Sequence, residues 1–271
     1  MSPKQKGRIR KIEGRLGNME EKKIHIRNSI EYLTLPVILL SLWWFYERTG
    51  GINTVSVPKL AKIVETFRIK WQDKSLFAAV YVSIRRVLEG YALAVICGLS
   101  LGIMIGLSTH MKRFTDLIIQ ILKPIPPIAW IPLAILWFGI GEESKVFLIF
   151  LGGFFVVLVN VIDGVAATDE HMIEVAKMAQ IGKTQYILQV ILPSALPSIF
   201  TGLRVGLNTC WTCVVAAELV ASSSGIGYMI SNARNYGRMD IVIMGMFTIG
   251  VIGKIMDVIL KQIEKRVIVW K

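Results

Sequence analysis

From Gly90 to Met111 the chain carries no Asp, Glu, Lys or Arg. About 20 apolar residues suffice to cross a bilayer as a helix, and only a helix or closed barrel satisfies its own backbone there. Similar runs near 30–47, 88–108, 115–140, 145–163, 199–221 and 240–260 predict an all-α membrane protein with about six transmembrane helices. Composition agrees. The chain is 54% hydrophobic and 18% charged, against about 25% charged for a soluble domain. The sixth run is interrupted by Lys254 and Asp257, which are three apart on one helical face and can pair.

The net charge of +12 suits anionic lipid or nucleic acid. Its distribution favours lipid. The tail 1–29 is basic, lacks aromatic residues and shows no RNA- or DNA-binding motif, so it reads as a cytoplasmic, lipid-facing arm that binds no nucleic acid. Excess Lys and Arg in this tail and near the C-terminus favour both termini inside. ERTGG after the first run is no small-residue cleavage site, so that run reads as an uncleaved span. The expected organisation is a basic tail (1–29), a first span with an outer segment (30–75), a transmembrane core (76–260) and a cytoplasmic end (261–271). Pro58 behind Ser56 starts a short amphipathic helix in the outer segment. Cys97, Cys210 and Cys213 all lie in apolar runs. With no second Cys pair or His cluster nearby, they read as packing residues rather than metal ligands.

Two spans carry small residues every four positions: Gly90, Ala94, Gly98, Gly102 and Gly106 in the second, Gly202, Gly206 and Cys210 in the fifth. Such stripes let another backbone come close and read as helix-packing seams. The third span contains Pro124, Pro126, Pro127 and Pro132. Each removes a backbone donor. Broken backbone in a membrane survives where protein shields it or where it lines a water-filled path. The helix is therefore expected inside the bundle, or to begin near residue 127 after an irregular lead-in; Pro127, Trp130 and Pro132 are candidate path or gate residues, with a kinked packing helix as the alternative. Glu218, Arg204 and Glu89 are charges within spans. Glu218 is the candidate path residue; snorkelling or internal ion pairs account for the other two. His25, His110 and His171 read as solvated or interface side chains.

The polar segment 163–198 separates two apolar runs. Thr168 or Asp169 can cap a first helix with Met172, Val175, Ala176 and Ala179 on one face, and Glu170, Glu174 and Lys177 on another. A turn near Gly182 leads to a second short helix, Gln185 to Leu192, stopped at Pro193, and Pro197 then opens the next span. Two short helices outside the bilayer must bury apolar faces, in a partner's groove, on their own bundle or in the lipid interface. The IGKT at 181–184 is no phosphate loop, because Lys177 stands where the first glycine is needed and no strand precedes it.

EVA at 174–176 followed by VILPSALP resembles the "EAA" motif of ABC importer permeases. SIRRVLEGYALAV, PIPPIAWIPLAILWFGIG, SIFTGLRVGL and AAELVASSSGIGYMI resemble the branch that imports nitrate, aliphatic sulfonates and taurine. The likeness covers about residues 55 to 260. It implies a type I importer bundle in a bacterial inner membrane, with a cytoplasmic coupling helix that docks on a separate ATPase. ATP and Mg would sit on that partner, and this chain would bind no cofactor. A solute-binding protein and a second permease copy, as a homodimer, complete the implied assembly. The solute would be a small anion such as a sulfonate, taurine or nitrate, although an acid at Glu218 does not favour an anion. Glu174 and Ala176 match the first and third motif positions, and Leu192 and Pro193 its terminal Leu-Pro. Ala179 and Gly182 complete the coupling set. Val175 replaces the usual second alanine. Gln180 stands where the family has glycine, so the turn is expected to shift toward Gly182 or the first helix to run longer.

Two other classes fit the composition. An ion-driven secondary transporter would show paired broken helices in two halves, and only one span here is broken. A membrane enzyme would cluster His, Asp or Glu near one interface, and no such cluster is visible.

Overall fold

The computed structural model describes residues 34–49 and 57–268. The basic tail, Ser56, the start of the first predicted span and the last three residues lie outside this range. The described residues form helices joined by short turns, with no strand among them. The chain divides into two compact units, Met1–Leu60 and Ala61–Lys271. In the first unit the described helix α1 (34–48) exposes Leu35, Leu39, Leu42 and Phe45. Arg48 stacks over the Trp44 ring at 4.3 Å.

The second unit contains α2 (Leu60–Gln72), α3 (Ser75–Leu107), α4 (Thr109–Leu122), a 3-10 turn (Pro127–Trp130), α5 (Ile131–Phe138) and α6 (Glu142–Ala166). After these come α7 (Glu170–Met178), α8 (Lys183–Tyr186), a π turn (Ile187–Ile191), α9 (Leu192–Ala221), α10 (Ile226–Asn235) and α11 (Met239–Val267). Four of the described helices are long and apolar enough to cross a membrane: α3, α6, the continuous run from Lys183 to Val220, and α11.

Several spans differ from the sequence reading. The second begins at Ser75, not near 88, because Arg85, Arg86 and Glu89 do not end it. Arg85 pairs with Glu89 one turn on at 2.8 Å, and Arg86 is buried and paired. The third, read over 115–140, is broken: α4 and the Pro127–Phe138 segment meet at 84°, and helix restarts at Pro127, where the prolines allowed it to begin. Pro126, with φ −59° and ψ 137°, is extended and breaks the helical ladder before Pro127. The fifth does not start after a stop at Pro193. Helix runs on from Lys183, and the Leu192 N–H reaches five residues back to the Ile187 carbonyl. That wider turn precedes the site where the Pro193 ring would crowd the carbonyl four residues earlier. Pro197 therefore lies inside α9 rather than at its first turn.

The glycine seam of α3 lies on α6. A methyl group added at Gly90 would strike Ile149; at Gly98, Val157; at Gly102, Val161; and at Gly106, Val165. Between these, Ala94 faces Gly153. Each four-residue step on α3 thus meets a four-residue step on α6, and both numberings rise together. The two helices are parallel, so the bent α4–α5 segment must carry the chain back along their length. Helix α9 runs antiparallel to α6: Gly152 meets Cys213, while Gly164 meets Ser198. Its own seam, Gly202 and Gly206, lies against Asn160 and Val157. Helix α11 runs antiparallel to α9. Trp211 donates to the Ile249 carbonyl at 3.0 Å, and Arg204 pairs with Asp257 at 3.0 Å and Glu264 at 3.4 Å. Lys254 joins Asp257 at 3.8 Å, as its spacing suggested. Segment α7 and the last turns of α3, α6 and α11 share one end of the bundle. Helix α10 and the first turns of α3, α6 and α11 share the other.

Candidate functional site

At the α7 end, Asp169 caps its helix. Its Oδ1 accepts from the His171 N–H at 2.8 Å, and its carbonyl accepts from Ile173. Ala176 is buried, whereas Met172, Val175 and Met178 are 51%, 60% and 77% exposed. The predicted face is thus divided: Ala176 turns to the bundle, and Met178 joins the outward set. Glu174 and Ala179 are exposed beside it. The turn falls at Gln180, with φ 49°, and α7 ends at Met178. It has not moved to Gly182, whose φ of −65° any residue adopts. The left-handed region costs a side-chain-bearing residue about 1 kcal/mol. Gln180→Gly should accordingly strengthen this turn by about 1 kcal/mol, read as slower amide exchange in the last turn of α7. Leu192 and Pro193 are half-buried. Leu192 packs on the Val157–Val161–Ile191–Ala195 core.

Along α9 a cavity of about 500 Å³ opens between the α4–α5 break, α6 and α9. Pro126, Pro127 and Ile131 form one wall, and Asn208, Thr209 and Thr212 supply polar groups on another. No charged side chain lines it. The two threonine hydroxyls donate to carbonyls one turn back, at 2.9 and 3.0 Å. The broken backbone therefore lies where broken backbone is tolerated, against a cavity. Of the predicted path residues only Pro127 lines it. Trp130 packs on the Ile131–Ala134–Leu148–Ala217 cluster, and Pro132 is exposed elsewhere.

Glu218 does not reach the cavity. It is 1% exposed and accepts from Ser83 Oγ at 2.8 Å, Arg86 Nη1 at 2.8 Å and the Gly227 N–H at 2.9 Å. Arg86, also 1% exposed, grips Glu142 through two bonds of 2.6 Å and holds the Ser224 carbonyl and hydroxyl at 2.8 Å. Lys145 adds a 3.1 Å bond to Glu142, and Ser83 Oγ accepts from the Ile226 N–H. This network ties α3, α6, α9 and α10 together. Gly225, at φ 106°, and Gly227 admit it, since a side chain at either would collide with Glu218. The sequence reading missed Arg86, although it stands four residues before Gly90, on the seam's own stripe. It also missed Asn208 and Thr212, whose four-residue spacing marks a polar face on an apolar helix.

The sequence profile of the family described as "Binding-protein-dependent transport system inner membrane component" matches residues 94–269. The chain belongs to this family of permeases. An ABC transporter permease of Methanocaldococcus jannaschii is 37% identical over 92% of this chain and 95% of its own length. The taurine transport system permease of Escherichia coli is 33% identical over 86% of each chain. The nitrate import permease of Leptolyngbya laminosa is 32% identical over 90% of this chain and 89% of its own. A methionine ABC transporter chain in an inward-facing conformation superposes with a TM-score of 0.63 at 17% identity, covering 72% of this chain and 97% of that one. An amino acid ABC transporter chain gives 0.62 at 14% identity, covering 74% and 97%. At such identities the likeness speaks for the fold alone. This permease is thus the multi-pass membrane subunit of an ABC importer. It forms the solute path and works with a separate ATPase and a solute-binding protein.

Proposed function

We propose that α7 is the coupling helix of this permease, entering a groove on the ATPase from the cytoplasmic side. The α10 end then faces outward, and both termini lie inside. The observation that carries this reading is the exposed apolar row Met172, Val175 and Met178, which the protein's own bundle leaves uncovered beside Glu174. Two permease copies, two ATPases and surrounding lipid complete the assembly, with ATP and Mg held by the ATPases alone. ATP-driven closure of the ATPase pair moves the coupling helices as levers between inward-open and outward-open packing. Glu174→Lys should reduce ATPase co-purification and uptake by about tenfold, as removal of an interface charge does, while membrane insertion stays normal. Full ATPase co-elution and full uptake would exclude the coupling role.

The solute is a small oxyanion, either a sulfonate such as taurine or nitrate. The names of the relatives support this, and so does the cavity. Asn208, Thr209 and Thr212 offer neutral polar groups, and the acid that argued against an anion, Glu218, is turned away and bound by Arg86. Labelled taurine and nitrate uptake by the assembled transporter, with and without ATP depletion, tests this. Uptake of cationic or neutral solutes only would overturn it.

A further inference from the structure

Between α2, the start of α3 and the first half of α11 lies a groove of about 470 Å³. Ile63, Leu76 and Met244, all buried, form its floor. Phe67, Trp71 and Phe77 form an aromatic rim, with the Trp71 ring centroid 5.6 Å from that of Phe67 and 4.3 Å from that of Phe77. Thr66 donates to Asp240 at 2.7 Å and so fixes α2 beside the start of α11. The polar groups on the wall are few. Thr248 donates to the Met244 carbonyl at 2.9 Å, and the exposed Trp71 has no hydrogen-bond partner for its indole N–H among the described residues. Residues 59–74 carry five Lys or Arg against two acids. Lys70 and Asp73 pair at 3.5 Å, and Asp73 also accepts from the Ser75 N–H and hydroxyl at 2.8 and 2.6 Å. Arg68 and Lys74 are exposed and join no acid among the described residues, Glu65 included.

Arg68 stands four residues after Val64 and three before Trp71, both on the groove wall, so it shares their face of α2. Lys74 falls between Trp71 and Leu76, at the end of the groove where α3 begins. From there the wall follows α11 from Met244 to Ile252, into a span whose solvent is lipid. That wall is about 12 Å long at 1.5 Å per residue, so a volume of about 470 Å³ leaves a mean section of about 40 Å². A helix about 10 Å across needs about twice as much, whereas an extended acyl chain is slimmer. We infer that the groove binds an anionic phospholipid, one acyl chain lying on Ile63, Leu76 and Met244 and the phosphate accepting from Arg68, Lys74 and the Trp71 indole. Tryptophan suits this place, with an apolar body and one donor at the wet edge. Each cation beside an anionic headgroup raises affinity by about fivefold. The site stands whichever end of the bundle faces outward.

The test places the full transporter in phosphatidylcholine nanodiscs doped with phosphatidylglycerol brominated on its acyl chains. Bromine quenches a neighbouring indole, and the Trp71 share is read as the difference between wild type and Trp71→Phe. Brominated phosphatidylglycerol should quench Trp71 at a mole fraction about twentyfold lower than brominated phosphatidylcholine requires. Arg68→Gln and Lys74→Asn should each raise the phosphatidylglycerol midpoint by about fivefold, with ATPase co-purification unchanged. Asparagine is at ease at the φ of 59° that Lys74 adopts. Equal quenching of the wild type by both lipids would overturn the inference, since ordinary bilayer contact would then explain it. Wild-type midpoints in both variants would remove the headgroup site. No quenching of Trp71 by either lipid would mean that protein fills the groove, and would overturn the inference as well.

Discussion

Arg86→Ala should destabilise the permease by about 3–5 kcal/mol, the usual effect of stranding one member of a buried ion pair. Glu218 has no solvent to fall back on, since its side chain is fully buried. Without the guanidinium it retains only Ser83 and the Gly227 N–H. Glu142, nearly half exposed, can rehydrate. The expected result is a lower thermal midpoint of the purified transporter, accompanied by faster proteolysis near Ser222–Gly225. The double variant Arg86→Met with Glu218→Met should recover much of the loss, because well-packed apolar side chains often replace a buried pair at little cost. A normal midpoint with abolished uptake in Arg86→Ala would instead make the pair part of the solute path.

The second large effect lies on the seam. In Gly102→Ala the new methyl would stand 2.7 Å from Val161 Cβ and Cγ1 and 3.2 Å from the Leu158 carbonyl. Neither neighbour is the loose end of a long side chain, so the helices must part. Overpacking of this kind costs about 1–3 kcal/mol. Adding Val161→Ala should return part of it, whereas Leu203→Ala, at a residue not among that methyl's nearest contacts, should not. Equal recovery by both would mean that the penalty is not steric.

The helices and their packing partners were readable in proportion to how local their signal is. Uncharged length marked the spans, and four-residue small-residue spacing marked the packing face of α3 without naming α6 as its partner. The start of α3 was hidden because Arg85, Arg86 and Glu89 look like a membrane edge, and burial of a paired arginine is settled only by what other helices bring. The continuity through Pro193 was hidden because a proline is read as a stop, and the π turn that accommodates it leaves no residue signature. Helix α7 was legible from its amphipathic pattern and cap. The position of its turn was not, because Gln180 accepts a strained conformation that composition assigns to Gly182. The cavity was half-legible. Prolines announced the break, while Asn208, Thr209 and Thr212 were passed over because each neutral polar residue is commonplace alone.

Matched teeth along α3 and α6 also limit how the transporter can move. A rack whose notches and pegs share one spacing tolerates no fractional offset, and the next allowed position is a whole notch away, about 6 Å for four helical residues. A small displacement at one end of the pair is therefore transmitted along it without slippage. The pair behaves as a strut rather than a sliding joint, and compliance falls to the 84° elbow between α4 and α5. Spin labels on α3 and α6 should hold one separation through the ATP cycle, while labels astride the elbow change theirs.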